Sequence, residues 1–383
     1  MEMNQIDQEY FAREAEPKHI QITQAEGSYL IDSAGKRYID FNMGWCVGNI
    51  GWNNEEINNA IKNFHGPSYV QPHFEYQPWT ELAQLLAEIT PGKLKKSFRA
   101  TGGTEAVEIA LQAAIEHTGR TKFVAIENAY HGNSIATRAL TTSDFSFIQS
   151  EKIRPPLTKK SLEKVEDILS RKDIAAFIME PVIMNLGILV PETEFMQGLQ
   201  SLCKKYGTLL IMDEVASGFG RTGRMFASEY FDIEPDIMCL AKSMSGGGAG
   251  IGAAIMTEEV ANSFSEENFP YSTYGWHPLG VEAAIANIRY LQTHWNELDE
   301  NIQSISEYFR ERIEHMMFED KPEVTVMGLA IKMRFKDKKY FREVCQRAEG
   351  KGLLISSSGS MFPALNIDFE TAKQGLDILE SCL

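Results

Sequence analysis

Two residues in this chain have the types and placement to act together on one small molecule. Asp213 closes the apolar run Thr208-Leu209-Leu210-Ile211-Met212-Asp213, and Lys242 closes Ile237-Met238-Cys239-Leu240-Ala241-Lys242. Small residues follow the lysine, Ser243-Met244-Ser245-Gly246-Gly247-Gly248. If both runs are strands of one parallel sheet, an acid and an amine stand at its carboxyl edge, where open α/β sheets bind ligands. An acid that pairs with a pyridinium nitrogen and an amine that forms a Schiff base are the two groups a pyridoxal phosphate site requires. Each has an ordinary reading too. A strand-end Asp often caps the next turn, and most lysines are solvated. The apolar run before Lys242 and the small residues after it favour a partly buried amine, and burial favours its nucleophilic free base.

Other segments add to that edge. Thr101-Gly102-Gly103-Thr104 lies between a strand-like segment, residues 97–100, and a helix predicted over 104–118. Its glycines let backbone approach a ligand, and a helix N-terminus favours an anion. Taken alone, the segment reads more readily as an ordinary strand-to-helix turn capped by Thr104. Glu180 ends a third apolar run, Ile174–Met179, and Pro181 stops that strand. Tyr130-His131-Gly132 follows a strand over 122–126, where an aromatic ring could stack on a flat cofactor or simply half-bury in a loop. Gly218-Phe219-Gly220-Arg221-Thr222-Gly223 matches GxGxxG literally. A dinucleotide fingerprint turns directly from strand to helix. Here Glu214 to Ser217 intervene, and no clear amphipathic helix follows.

The elements that must position these groups are legible in outline. Residues 28–41 read as a hairpin turning at Asp32-Ser33-Ala34-Gly35-Lys36. From about 55 to 285, helical patterns alternate with strand runs at 122–126, 174–179, 208–213 and 236–241. This predicts a mostly parallel sheet covered on both faces. A helix over 279–317 follows, with an interruption expected around Trp295-Asn296. Strand signals at 324–335, a helix over 337–350, a strand at 353–357 and a helix over 370–381 complete an α+β tail. The expected fold is α/β: a large domain, residues 56–284, with a mostly parallel central sheet, and a small α+β domain built from 1–55 and 285–383.

Bulk properties exclude several functions. A net charge of −16 argues against nucleic acid, which needs a basic face. Five scattered cysteines (Cys46, Cys203, Cys239, Cys345, Cys382), without CxxC or Cys/His spacing, indicate neither zinc nor a disulfide framework. The eight histidines show no metal-ligand spacing, so no metal is expected. A reducing, cytoplasmic setting fits best. The polar, acidic start Met1–Asp7 does not read as a signal peptide. No apolar stretch reaches membrane-spanning length.

From about residue 26 onward, the chain resembles class III aminotransferases, of the fold type I group of pyridoxal phosphate-dependent enzymes. The most specific stretch is Asp213-Glu214-Val215-Ala216-Ser217-Gly218-Phe219-Gly220-Arg221-Thr222-Gly223-Arg224-Met225-Phe226, followed by Pro235-Asp236-Ile237 and Lys242. Gly103-Thr104-Glu105-Ala106, Tyr130-His131-Gly132, Glu180-Pro181 and Ser272-Thr273-Tyr274 fall in family order. The resemblance implies that Lys242 forms the Schiff base and Asp213 partners the pyridinium. It places Val215 and Tyr130 on the two ring faces, Gly103 and Thr104 at the phosphate, and Glu180 near the ring. Thr273 would reach the phosphate of a neighbouring subunit, which implies a homodimer, and Trp45 would line the substrate pocket. The literal GxGxxG is then part of a structural turn.

Two departures bear on substrate. Ala216 stands where many members carry a Gln that contacts the cofactor's phenolic oxygen. Members that use α-amino acids often have an Arg just before a Pro-Pro-Leu. The matching stretch here, Ser360-Met361-Phe362-Pro363-Ala364-Leu365, has none. Residues 145–160 read as an abbreviated substrate-side loop. The expected activity is transfer of an amino group between an amine or ω-amino acid and an oxo acid or aldehyde. Racemase, aminomutase and decarboxylase chemistry on the same scaffold are the nearest alternatives. A nicotinamide-dependent oxidoreductase resting on Gly218–Gly223, and a non-catalytic binding protein, are more distant ones.

Overall fold

A computed structural model of the chain describes residues 3–13, 18, 20–141 and 148–383. The strands near the start are β1 (Ile22–Glu26), β2 (Tyr29–Asp32) and β3 (Arg37–Asp40). The next seven are β4 (Leu94–Ala100), β5 (Lys122–Ile126), β6 (Ser150–Ile153), β7 (Ile174–Met179), β8 (Leu209–Asp213), β9 (Ile237–Leu240) and β10 (Gly252–Thr257). The last four are β11 (Glu323–Met327), β12 (Ala330–Arg334), β13 (Leu353–Leu354) and β14 (Ser360–Met361). Among the described residues no helix is long and apolar enough to cross a membrane.

The predicted hairpin is present. β2 pairs antiparallel with β3, Tyr29 opposite Ile39. Its turn is built by one carboxylate: Asp32 Oδ1 accepts from the backbone N–H of Ala34 and of Lys36, both at 2.9 Å. β13 then pairs parallel with β3, so a strand near the end of the chain joins a sheet near its start.

The central sheet has seven strands in the order β4-β10-β9-β8-β7-β5-β6. β5, β6, β7, β8 and β9 run parallel. β10 is antiparallel to both β9 and β4. β7, β8 and β9 are buried at every position, as expected of strands covered on both faces. The helix Gly103–Thr118 covers one face with Val107, Ala110, Leu111 and Ala114, and stops at Gly119, whose φ is +66°.

Three expectations are corrected. β10, unseen in the sequence, wedges between β4 and β9. Its Gly252 packs against Gly102, where a Cβ would meet the Gly102 carbonyl oxygen at 2.7 Å. The helix Pro278–His315 runs unbroken through Trp295-Asn296. Leu291, Leu298, Ile302, Ile305, Phe309 and Ile313 bury one face of it, so tertiary packing outweighs the modest helix preference of Trp and Asn. Of the loop expected over 145–160, residues 145–147 lie outside the described residues. The rest contributes edge strand β6, beside β5, and does not line the cavity described below.

Candidate active site

The parallel strands end on a cavity of about 770 Å³. β4 leads into Thr101–Thr104, β5 into Tyr130–Gly132, β7 into Glu180, β8 into Asp213, Val215 and Ala216, and β9 into Ala241 and Lys242, and all of these line it. Because β10 runs the other way, it begins at this edge, and Ala249, Gly250 and Ile251 join the lining. Met184 and Asn185 beyond β7, Gly247 beyond β9, and Trp45, Cys46, Val47 and Phe362 from outside the central sheet complete it. The structure thus brings together Lys242, Asp213, Gly103, Thr104, Tyr130, Glu180, Val215 and Trp45. Thr273 is exposed and is not in the lining.

Two buried carboxyls set the electrostatics. Asp213 Oδ2 lies 2.8 Å from His131 Nδ1, and its Oδ1 accepts from the Val215 N–H at 3.1 Å. Glu180 Oε2 accepts from the Met184 N–H at 3.2 Å, while its Oε1 is buried without a partner. Burial, and then the Asp213 charge, push the Glu180 carboxyl well above its ordinary range. His131 is the residue that sequence reasoning passed over. Its ring is fully buried, and its Nε2 is a second buried polar atom without a partner. The available signal was its place directly after Tyr130 in a loop leaving the same sheet edge.

Non-glycine residues adopt left-handed backbone at two places along the lining. Lys242 has φ +45°. Met43, Gly44, Trp45 and Cys46 form a continuous left-handed stretch, with φ +42°, +58°, +57° and +67°. Each non-glycine residue so placed costs on the order of 1–3 kcal/mol and must be held by its surroundings. Asp40 does the holding. Its Oδ1 accepts from the Asn42 and Met43 N–H groups at 2.8 and 3.1 Å, and its Oδ2 from Trp52 Nε1 at 3.0 Å. Trp45 is thereby set 5.4 Å from Phe362, ring to ring. Gly132, at φ +131°, must be glycine: a Cβ would meet Thr104 Oγ1 at 2.7 Å. At Gly103 a Cβ would lie 2.9 Å from Val215 Cγ1.

The literal GxGxxG serves a different purpose. Residues 218–223 form a turn, not a strand-to-helix join. Within it Arg221 is fully buried. Its Nε and Nη2 donate to Asn49 Oδ1 at 3.2 and 2.6 Å, and its Nη1 donates to the carbonyls of Leu329 and Pro363 at 2.8 and 2.6 Å. One guanidinium ties three distant chain segments together, and no dinucleotide site is built here. Glu214, next to Asp213, is likewise structural. It accepts from Ser217 Oγ, from the Ala227 and Ser228 N–H groups and from Ser228 Oγ.

These residues fit pyridoxal phosphate. A buried acid sits on the strand next to an amine. Bare backbone at a helix N-terminus can cradle a phosphate. Buried polar atoms on Glu180 and His131 lack partners. Among the described residues no group of three His, Cys, Asp or Glu side chains could hold a metal ion. Fold and cavity together define an α/β enzyme that works through a bound aldehyde cofactor.

The chain belongs to the aminotransferase class-III family, whose sequence model matches residues 10–383. It is a pyridoxal phosphate-dependent transaminase, acting on small-molecule amino donors and oxo acceptors. Solved structures agree in fold over nearly their whole length. An aminotransferase of Bacillus anthracis is 26% identical, with a TM-score of 0.88, 100% of this chain covered and 99% of that one. The adenosylmethionine-8-amino-7-oxononanoate aminotransferase of Methanocaldococcus jannaschii is 25% identical, with a TM-score of 0.89 and coverage of 99% and 97%. The taurine:2-oxoglutarate aminotransferase of Bifidobacterium kashiwanohense, in complex with pyridoxal phosphate and glutamate, is 24% identical, with a TM-score of 0.88 and coverage of 98% and 96%.

Proposed function

We propose that Lys242 is the residue that holds the cofactor and that Asp213 pairs with its ring nitrogen. The observation that carries this reading is their placement. They end adjacent strands, β9 and β8, on one cavity. When bound, pyridoxal phosphate supplies an electron sink for the substrate carbon that carries the amine. The Lys242 amine takes the proton from that carbon as a base and returns a proton as an acid. His131 fixes the Asp213 carboxylate. Val215 and Tyr130 flank the ring, Glu180 stands near it, and Gly103 and Thr104 hold the phosphate. Trp45, with Phe362, forms the substrate wall.

The substrates are an amine or ω-amino acid as donor and an oxo acid or aldehyde as acceptor, with pyruvate or 2-oxoglutarate as the expected oxo acids. The chain works as a homodimer in which Thr273 reaches the neighbouring subunit's phosphate. Support comes from the exposure of Thr273 outside its own cavity, beside the exposed rings of Phe269, Tyr271 and Tyr274. A large unit, residues 56–284, and a small one, 1–55 with 285–383, are part of the same proposal. The joining of β13 to β3 supports it, although the helix Pro278–His315 crosses the boundary unbroken. A cytoplasmic setting is supported by five free, buried cysteines.

Lys242→Ala is the direct test. It should abolish both turnover and the visible absorbance of the bound cofactor. Retention of both would overturn the assignment.

A further inference from the structure

A cation that the proposed reaction does not use stands beside the strand that leads into Phe362, outside the cavity lining itself. Lys332 lies on β12 directly opposite Ser360 on β14. Side chains two apart along a strand share a face. The packing shows this alternation: Ile331, Met333 and Met361 enter one core, whereas Ala330 and Phe362 enter another. Lys332 and Ser360 therefore share the face of Phe362, which lines the cavity. One such step along a strand is about 7 Å. On the other flank runs the loop Met184–Gly187. Its Met184 and Asn185 line the cavity, and a Cβ on Gly187 would lie 3.5 Å from Lys332 Cε.

Lys332 is half-buried, and among the described residues it has no carboxylate partner. Its ammonium donates to the Ser358 carbonyl at 2.5 Å and to Ser360 Oγ at 3.1 Å. Burial, then the charges of Arg334 and Lys338, push it down to about 8. A half-buried cation among cations, facing hydroxyls rather than acids, is stabilised by an anion. The arginines beside the wall are engaged: Arg334 Nη1 donates to Glu323 Oε2 at 3.3 Å and its Nη2 to the Leu186 carbonyl at 3.4 Å. Arg221 sits with its guanidinium carbon 6.0 Å from the Phe362 ring, and its donors are held by Asn49, Leu329 and Pro363.

We propose that Lys332 is the specificity residue that binds the carboxylate of the oxo-acid acceptor, swinging on its flexible stem from the Ser358 carbonyl toward the cavity between Phe362 and Asn185. Ser360 opens the stretch that lacks the arginine many α-amino-acid-using family members carry, and the neighbouring strand supplies the charge instead. When an amine donor without a carboxylate occupies the same wall, the ammonium stays on its serines. One site then takes both partners, with the Trp45–Phe362 pair facing the hydrocarbon part of each.

This inference rests on the transaminase reading of the cavity, and the experiment separates the two. Cofactor-loaded wild-type, Lys332→Met and Lys332→Arg proteins are titrated with 3-phenylpropanoate and with its uncharged amide. They are then assayed with pyruvate and with propanal as acceptors. Lys332→Met should weaken carboxylate binding roughly tenfold or more, with little change for the amide, as expected on losing one charge-assisted contact. The KM for pyruvate relative to that for propanal should rise by the same factor, and Lys332→Arg should recover both. Equal effects on both probes, or no effect on either, would overturn the proposal. A wild-type protein that transfers no amino group would defeat the transaminase reading, while the binding pair would still decide Lys332.

Discussion

His131 and Asp213 form a closed pair in the wall of the cavity, Nδ1 to Oδ2 at 2.8 Å, with side chains 0% and 5% exposed. They lie 82 positions apart, His131 in the loop after β5 and Asp213 at the end of β8. The pairing leaves one face of the carboxylate for the cavity and ties the other to a ring that solvent does not reach.

Removing that ring leaves a buried carboxylate supported by the Val215 N–H alone. His131→Ala should therefore lower the stability of the cofactor-free protein by about 1–3 kcal/mol, read from urea unfolding. Cofactor affinity should fall as well. His131→Asn, whose amide nitrogen can stand where Nδ1 does, should recover much of both. If alanine and asparagine behave alike, the hydrogen bond is not what matters.

Glu180 gives the cofactor-free protein a pH signature. Burial and then Asp213 raise its carboxyl well above the ordinary value of 4.5. The folded chain thus keeps a proton that the unfolded chain has released. The stabilisation is full below pH 4.5 and is lost as pH rises through the raised value. Unfolding measured across that range should show stability declining with pH in the wild type and a flatter profile in Glu180→Gln. Parallel profiles would assign the slope to another group.

Arg221 is a structural joint. Asn49, Leu329 and Pro363 all depend on its planar fork, which a lysine does not reproduce. Arg221→Lys should cost roughly 2–4 kcal/mol in unfolding free energy, because buried carbonyls lose charged donors. Phe362 and the Trp45 segment should loosen with it, so tryptophan fluorescence of the folded variant is the second readout. A variant as stable as the wild type would show that the fork is dispensable.

Much of the central sheet is legible in the sequence because its signals are local. β5 and β7 match the predicted bounds, and the helix Gly103–Thr118 begins one residue early. A fully apolar run reads as a buried strand wherever it lies. The hairpin at Asp32 and the acid–amine pair are legible for the same reason. β10 is not. Its run Gly252-Ala253-Ala254-Ile255-Met256-Thr257 carries no mark of direction, and its antiparallel pairing with both neighbours, Gly252 close against Gly102, exists only in the assembled sheet. Nor does Trp295-Asn296 reveal that burial of its helix would override local preference.

The sequence by itself placed the chemically competent groups at the strand ends: an aspartate, a lysine, a glutamate and a bare glycine turn, each closing or following its own apolar segment. The tertiary structure alone decided which side chains meet. It set His131 on Asp213, Arg221 between Asn49 and Pro363, and Lys332 beside Ser360. Side-chain periodicity is written over a few residues, so it can be read from the chain. Strand order and register come from contacts between segments tens to hundreds of residues apart, so those partnerships exist only once the sheets have assembled.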